Sequence, residues 1–330
     1  MILRDIDKIL IIRLSSLGDV LLSTPLLRSI KKENPQIQID YIVGKESFDA
    51  VKLNKNISNV FAHVKNGDNS KIFDILIKRN YDLIIDLQNN NRSAGIVQSL
   101  SKPVAKFYKP NIKKFLLVNF KINLFKEIIT IPERYAGVFK GIQLDENGLE
   151  LFLPEDVKPQ ISNNEKIIGF CPGSKHFTKM WPQENFIELG NKLTAEGNKI
   201  ILLGGTDDKN ICEYISSKIP SAINLCRDNN LFQIAADMKA CEYIVCNDSG
   251  LMHTACAVNV PVVAIFGSTV KEFGFFPYKS KNLVLENNSL TCRPCSHIGK
   301  KSCPQKHFNC MKELTPNLVY DSIQNFKNSL

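Results

Sequence analysis

Lys8-Ile9-Leu10-Ile11-Ile12-Arg13-Leu14 runs directly into Ser15-Ser16-Leu17-Gly18-Asp19, and apolar residues at helical spacing follow over 20–32. A short, uninterrupted apolar run is what a strand shows when both of its faces are covered, as in a parallel sheet. Gly18 permits the tight loop that follows. Pro25 falls in the first turns of the expected helix, where a missing N–H costs least. Further strands are expected over 37–43, 81–87 and 104–108. A polar stretch over 146–165, carrying Pro154 and Pro159, reads as a linker. The rhythm then restarts, with strands expected over 166–171, 199–203, 242–246 and 260–266. Helices are expected over 183–196, 207–218, 231–240, 249–258 and 316–327. Alternating strands and helices imply parallel sheets with helices on both faces. The sequence thus predicts two doubly wound α/β domains, 1–155 and 156–330, facing a cleft. Ligands of open parallel sheets bind at the carboxyl ends of the strands.

The 330 residues suit two domains of about 150 residues each. A composition of 44% hydrophobic and 23% charged residues excludes a disordered chain, a collagen-like fibre and a disulfide-stapled miniprotein. No stretch approaches the roughly 18 apolar residues of a membrane-spanning helix. Arg4, Asp5, Asp7 and Lys8 interrupt any apolar leader segment, so a cytoplasmic location is expected. Six cysteines are scattered through apolar surroundings of the second half, as small core residues. The net charge is +9, and no acid occurs between Asp86 and Glu127. That gap holds Arg92, Lys102, Lys106, Lys109, Lys113, Lys114, Lys121 and Lys126. Such a run is either a solvated lysine-rich face or the seat of an anionic partner.

Three loops could carry chemistry. In Ser15-Ser16-Leu17-Gly18-Asp19, Asp19 stands at a helix start and by itself reads first as an N-cap. In Pro172-Gly173-Ser174-Lys175-His176-Phe177-Thr178-Lys179, a strand ends in a turn rich in hydroxyls and lysines, which suits phosphate. The Gly-Lys-Ser/Thr order of a Walker loop is missing. In Asn247-Asp248-Ser249-Gly250-Leu251-Met252-His253, Ser249 and Gly250 begin a helix whose positive end favours a pyrophosphate. His253 lies one turn in and on its own reads as a core histidine.

Together these stretches resemble glycosyltransferase family 9, the bacterial lipopolysaccharide heptosyltransferases. The resemblance spans nearly the whole chain. It is carried by Ser15 to Asp19, by Asp82-Leu83-Ile84-Ile85-Asp86-Leu87-Gln88, by Lys179-Met180-Trp181-Pro182, by Leu203-Gly204-Gly205, and by Asp248-Ser249-Gly250-Leu251-Met252-His253. It implies a GT-B fold of two Rossmann-like domains, with the acceptor on the first and the nucleotide sugar on the second. It implies inverting transfer from ADP-heptose to the lipopolysaccharide inner core without a metal or other cofactor. Asp19 matches the family's catalytic base, and Lys179 its phosphate-binding lysine. Asp207, or its neighbour Asp208, falls near the acidic residue that contacts the donor nucleoside, and Asp248 matches the acid near the transferred sugar. Ser174, Lys175, Ser249, Gly250 and His253 complete the expected donor contacts. Ser15, Gly18, Gln88 and Arg92 are the expected acceptor contacts. Where the family often has two threonines upstream of the lysine, this chain has Ser174 and Lys175.

On this reading the basic run meets an anionic lipopolysaccharide core at the inner-membrane surface. The mix of lysines with Phe115, Leu116, Leu117, Phe120 and Phe125 suits either a membrane-surface seat or a buried helix with snorkelling lysines. The spacing Cys292-x2-Cys295-x7-Cys303-x6-Cys310, with His297 and His307 nearby, suits a structural zinc or a set of reduced structural cysteines. Three other classes compete. A GT-B enzyme using another nucleotide sugar in cell-surface polysaccharide synthesis would share most of these features. A nicotinamide oxidoreductase would need Gly-x-Gly-x-x-Gly after the first strand, which is missing. A zinc-containing nucleic-acid-binding protein would need aromatic or arginine-rich base-reading surfaces. This chain is lysine-rich with one tryptophan, so no nucleic-acid partner is expected.

Overall fold

The structure, a computed structural model, describes residues 6–161, 166–227 and 229–328. Arg4, Asp5 and part of the expected linker, 162–165, lie outside the described residues. The chain divides into two units. One comprises the residues up to Lys109 with Ile129–Phe152; the other comprises Pro110–Ile128 with the residues from Leu153 onward. The division expected from the sequence, after residue 155, differs in two places: the boundary falls after Phe152, and the segment 110–128 groups with the second unit.

The first unit is built on a parallel sheet of β1 (Lys8–Ile12), β2 (Gln38–Gly44), β3 (Asn59–His63), β4 (Leu83–Asp86) and β5 (Val104–Lys106). The strand order is β3-β2-β1-β4-β5. Central β1 places Ile9 opposite Ile39 on one side and Leu83 on the other. Ile9, Leu10, Ile11 and Ile12 are fully buried, which is why the run carries no polar alternation. The helix expected over 20–32 is two helices, α1 (Leu17–Leu21) and α2 (Thr24–Glu33). Pro25 cannot donate to the Leu21 carbonyl to continue the first ladder. The Thr24 hydroxyl donates there instead, at 2.7 Å, and α2 restarts with Pro25 in its first turn. Helices α3 (Ser70–Lys78), α4 (Asn91–Leu100) and α6 (Ile131–Ala136) complete this unit, and α5 (Asn111–Phe120) precedes α6 in the chain. Part of the expected linker is folded. Arg28 on α2 bonds Asp145 at 2.5 Å and Glu150 at 2.8 Å, and Leu149 and Leu151 are buried.

The second unit repeats the plan. Its sheet contains β6 (Ile167–Cys171), β7 (Lys199–Leu202), β8 (Ile223–Asn224), β9 (Tyr243–Asn247), β10 (Val262–Phe266) and β11 (Asn282–Glu286), in the order β11-β10-β9-β6-β7-β8. Around it lie α7 (Gln183–Ala195), α8 (Lys209–Ser216), α9 (Leu231–Lys239), α10 (Gly250–Ala257), α11 (Asn309–Lys312) and α12 (Pro316–Lys327). The core joins Phe170, Trp181, Phe186, Val319 and Ile323. Trp181 is fixed by donating its indole N–H to the Leu314 carbonyl at 2.8 Å. Among the described residues no helix is long and apolar enough to cross a membrane.

In each sheet the strand order reverses beside the first strand, between β1 and β4 and between β6 and β9. Within each sheet, the loops leaving the two strands at the reversal therefore border the crevice where such a sheet holds ligands. Asp19 and Gln88 stand on one pair of loops, and Lys179 and Asp248 on the other.

Candidate active site

In the first unit, Asp19 gathers its neighbours tightly. Its Oδ1 accepts from the Arg13 guanidinium at 2.6 Å and from the Tyr135 hydroxyl at 3.5 Å. Its Oδ2 accepts from the Ser16 hydroxyl at 2.8 Å and the Ser16 amide at 3.2 Å. Burial works against a charge here. The Arg13 guanidinium, helped by Ser16, outweighs it and holds the Asp19 carboxyl below its ordinary range. Asp19 is thus an anion at neutral pH, and the helix-capping contact to the Ser16 amide coexists with that charge. Arg13 is aimed by its bond to the Leu87 carbonyl at 2.5 Å. Burial pushes the Tyr135 phenol well up, so it stays a neutral donor.

Gln88 is buried, and its side-chain oxygen accepts from the Leu14 and Ser15 amides at 3.0 and 3.1 Å. It therefore splints the loop after β1 to the loop after β4. The exposed Arg92 donates to the Ser15 hydroxyl at 2.9 Å, and Gly18 is buried in α1. Asp86 shapes the second loop, accepting from the Gln88 and Asn89 amides and the Ser93 hydroxyl. The structure thus brings Asp19, Ser15, Gln88 and Arg92 to one corner of the sheet.

In the second unit, Lys179 Nζ lies 2.7 Å from Asp248 Oδ2, and the Thr269 hydroxyl donates to the same oxygen at 2.6 Å. The Ser174 hydroxyl reaches the Asp248 carbonyl at 3.4 Å. Asn247 locks the two loops together, with its amide on the Pro172 carbonyl at 2.7 Å and its oxygen on the Trp181 amide at 3.0 Å. Ser249 is the N-cap of α10. Its hydroxyl is buried and makes no hydrogen bond among the described residues. Gly250 opens the helix and His253 is buried one turn in. Lys175 and Asp207 are exposed. Asp208, next along, accepts the Gly205 amide at 2.9 Å and lies against Gly173, where a Cβ would overlap its carboxylate. Burial pushes the Asp208 carboxyl up.

Four residues that shape these sites escaped the sequence reading. Arg13 left one signal, a cation inside an apolar strand run. Tyr135 and Thr269 left none, because they reach their carboxylates from far along the chain. Arg293 is buried and donates to the Gly267 and Thr269 carbonyls at 2.5 and 2.8 Å and to Glu286 at 2.8 Å. It pins the cysteine-bearing loop to the turn that supplies Thr269. Within that loop, Cys292 Sγ lies 3.8 Å from His307 Nε2. Burial pushes the Cys310 thiol up to about 12 and raises that of Cys295, which Cys303 raises further. All ten cysteines are free thiols. Among the described residues no group of three or more His, Cys, Asp or Glu is set to hold a metal ion.

Two Rossmann-like units of the GT-B class, each with polar loops at its strand-order reversal, define the architecture. Comparison with known proteins then gives the family: residues 70–306 match glycosyltransferase family 9 (heptosyltransferase), and the chain belongs to it. It is therefore a glycosyltransferase. Lipooligosaccharide heptosyltransferase 2 of Campylobacter jejuni subsp. jejuni serotype O:2 is 28% identical over 323 residues, covering 95% of this chain and 96% of that protein. The crystal structure of a family 9 glycosyltransferase from Veillonella parvula DSM 2008 superposes with a TM-score of 0.81 at 22% identity, covering 100% of this chain and 99% of that one. The Escherichia coli heptosyltransferase WaaC, solved with ADP-2-deoxy-2-fluoro heptose, superposes with a TM-score of 0.68 at 21% identity, covering 96% and 99%.

Proposed function

We propose that this glycosyltransferase moves heptose from ADP-heptose to the anionic inner core of lipopolysaccharide, with inversion and with no metal in the chemistry. The observation that carries the reading is the Lys179–Asp248 pair, 2.7 Å apart, at the start of α10 beside the Ser249 hydroxyl, which makes no hydrogen bond among the described residues. A diphosphate arriving there finds a lysine charge, the first amides of a helix and a hydroxyl with a hydrogen bond to give. The names of the relatives support the sugar and the acceptor.

The roles follow from the chemistry. An acceptor hydroxyl is a poor nucleophile at neutral pH, so a carboxylate must take its proton as it attacks. Asp19 is already ionised and is held in place by Arg13 and Ser16. Attack on the anomeric carbon opposite the leaving ADP inverts its configuration. Negative charge grows on the departing diphosphate, where Lys179 and the amides at Ser249 and Gly250 stabilise it. Positive charge grows on the sugar ring, and Asp248 offsets it. Ser174 and Lys175 line the same donor turn, Asp207 or Asp208 faces the nucleoside, and His253 supports the α10 turn. Ser15, Gly18, Gln88 and Arg92 shape and line the acceptor side. Such an acceptor is lipid-linked, so the enzyme works at the inner-membrane surface.

The test is transfer itself. Purified protein is incubated with inner-core lipopolysaccharide, either heptose-free or carrying one heptose, and one of ADP-heptose, or a UDP-, GDP- or CMP-sugar. The expected result is ADP release and a gain of one heptosyl unit with the first donor alone, in the anomeric configuration opposite to the donor's. Transfer from a UDP-, GDP- or CMP-sugar alone would overturn the donor assignment.

A further inference from the structure

The segment Pro110–Ile128 turns large apolar side chains outward. Ile112 is 76% exposed, Phe120 61% and Phe115 57%, and Ile122, Leu124 and Ile128 are exposed beside them in the chain. The sequence left open a surface seat or a buried helix with snorkelling lysines; in α5 only Leu117 is buried. Positions 112, 115, 116 and 120 recur at three- and four-residue steps and so share one side of α5. The Phe115 and Phe120 rings meet edge-on, 5.9 Å apart. A helix on a globular surface hides such a face, so an outward one marks an interaction site.

The segment is held in place as well as exposed. The Lys121 ammonium donates to the Pro294 carbonyl at 2.6 Å, and the Asn123 amide donates to Glu272 at 3.1 Å. Its charge is one-sided. Lys113, Lys114, Lys121 and Lys126 stand among the apolar residues, and the one acid, Glu127, comes at its end. Lys113 Nζ lies 5.8 Å from the centre of the Phe125 ring, cation beside apolar surface.

We propose that Pro110–Ile128 is a docking surface for an anionic phospholipid bilayer. The apolar side chains enter the boundary between headgroups and acyl chains, and the lysines meet the lipid phosphates. Charge complementarity selects this occupant over a neutral surface. The inference rests on the reading above only in placing the acceptor in a membrane.

The test uses the full chain with vesicles of phosphatidylglycerol and phosphatidylethanolamine, against vesicles of phosphatidylcholine. Co-sedimentation should favour the anionic vesicles by about tenfold and weaken with added salt. Phe115→Ser with Phe120→Ser should lower binding about tenfold, and Lys113→Gln with Lys126→Gln should lower it and flatten its salt dependence. Unchanged melting temperatures would show that the variants fold. Phe120→Trp gives an independent reading, since the native Trp181 is buried. Its emission should shift to the blue on anionic vesicles. Vesicle binding equal in wild type and variants overturns the proposal. So does wild-type self-association that the double serine variant abolishes without any vesicle binding, or binding to duplex DNA as tight as to vesicles. Transfer to a deacylated, water-soluble acceptor should be unchanged in the double serine variant while transfer to vesicle-borne acceptor falls. A wild type inactive on both acceptors would sink the catalytic reading and leave the vesicle result standing.

Discussion

Asp19→Asn separates chemistry from folding, because asparagine keeps the shape of the side chain and one oxygen that can accept from Arg13, while its NH2 group stands at the Oδ2 position, able to donate to the Ser16 hydroxyl but no longer to accept the Ser16 amide. What is lost is the charge, and with it the ability to take a proton. Loss of a general base costs about 10²- to 10⁴-fold in rate. At about 1.36 kcal/mol per tenfold that is about 2.7–5.4 kcal/mol of barrier. The structural cost is smaller. The half-buried contact of 2.6 Å to Arg13 becomes a bond to a neutral acceptor, a loss of about 1.5–3 kcal/mol. The expected outcome is a kcat down at least about a hundredfold, an unchanged calorimetric affinity for ADP and a modest fall in melting temperature. The pH dependence follows from the same contacts. The Asp19 carboxyl titrates lower in the folded chain than its ordinary 3.8. Its ion pair therefore stabilises the fold above that value and is lost as the pH falls through the folded value. The difference in melting temperature between wild type and Asp19→Asn should shrink on the acid side. A variant that keeps more than half of wild-type kcat would refute the base assignment and leave Asp19 as a helix cap. A melting difference constant down to acid pH would refute the ion-pair argument.

Lys179→Met should weaken ADP and ADP-sugar binding alike by about 1.5–3 kcal/mol in calorimetry. It also leaves the buried Asp248 with the Thr269 hydroxyl alone, so the melting temperature should fall too; unchanged ADP affinity would contradict the phosphate role. Gly173→Ala should push the Asp208 carboxylate off the Gly205 amide, at about 1–3 kcal/mol of stability. Adding Asp208→Ala should recover much of that loss, and a purely additive double variant would show that the two side chains do not clash. Transfer should survive EDTA at a temperature where the protein stays folded; activity restored only by Mg²⁺ or Mn²⁺ would sink the metal-free mechanism. Elemental analysis reads the cysteine loop separately. About one zinc per chain, with a lower melting temperature on its removal, marks a structural site at Cys292, Cys295, Cys303 and Cys310. A content near zero with titratable thiols marks ordinary cysteines.

The sequence by itself determined the parts whose signal is local. The run from Ile9 to Ile12 is unbroken because β1 is covered on both faces, so period and composition gave it away. Helix α12 begins where expected because Thr315 caps it and Pro316 opens it, both within one turn. The loops carrying Asp19, Lys179 and Asp248 were legible because chemistry in open parallel sheets gathers at strand carboxyl ends. Edge strands β3 and β11 left weaker traces, since half-covered strands lose the continuous apolar run. Tertiary structure alone decided which side chains meet. Arg13 and Tyr135 reach Asp19 from opposite ends of the first unit's sequence. Lys179 and Asp248, which the resemblance sets apart as expected phosphate and sugar contacts, stand as one ion pair. Arg293 reaches the turn that holds Asp248 across β10 and β11. The sequence could not show that α5 turns Ile112, Phe115 and Phe120 to the outside, since a helical period gives the width of an apolar face but not its direction. Periodicity encodes burial along one element, whereas the neighbours of a side chain depend on strand order and on how distant loops pack.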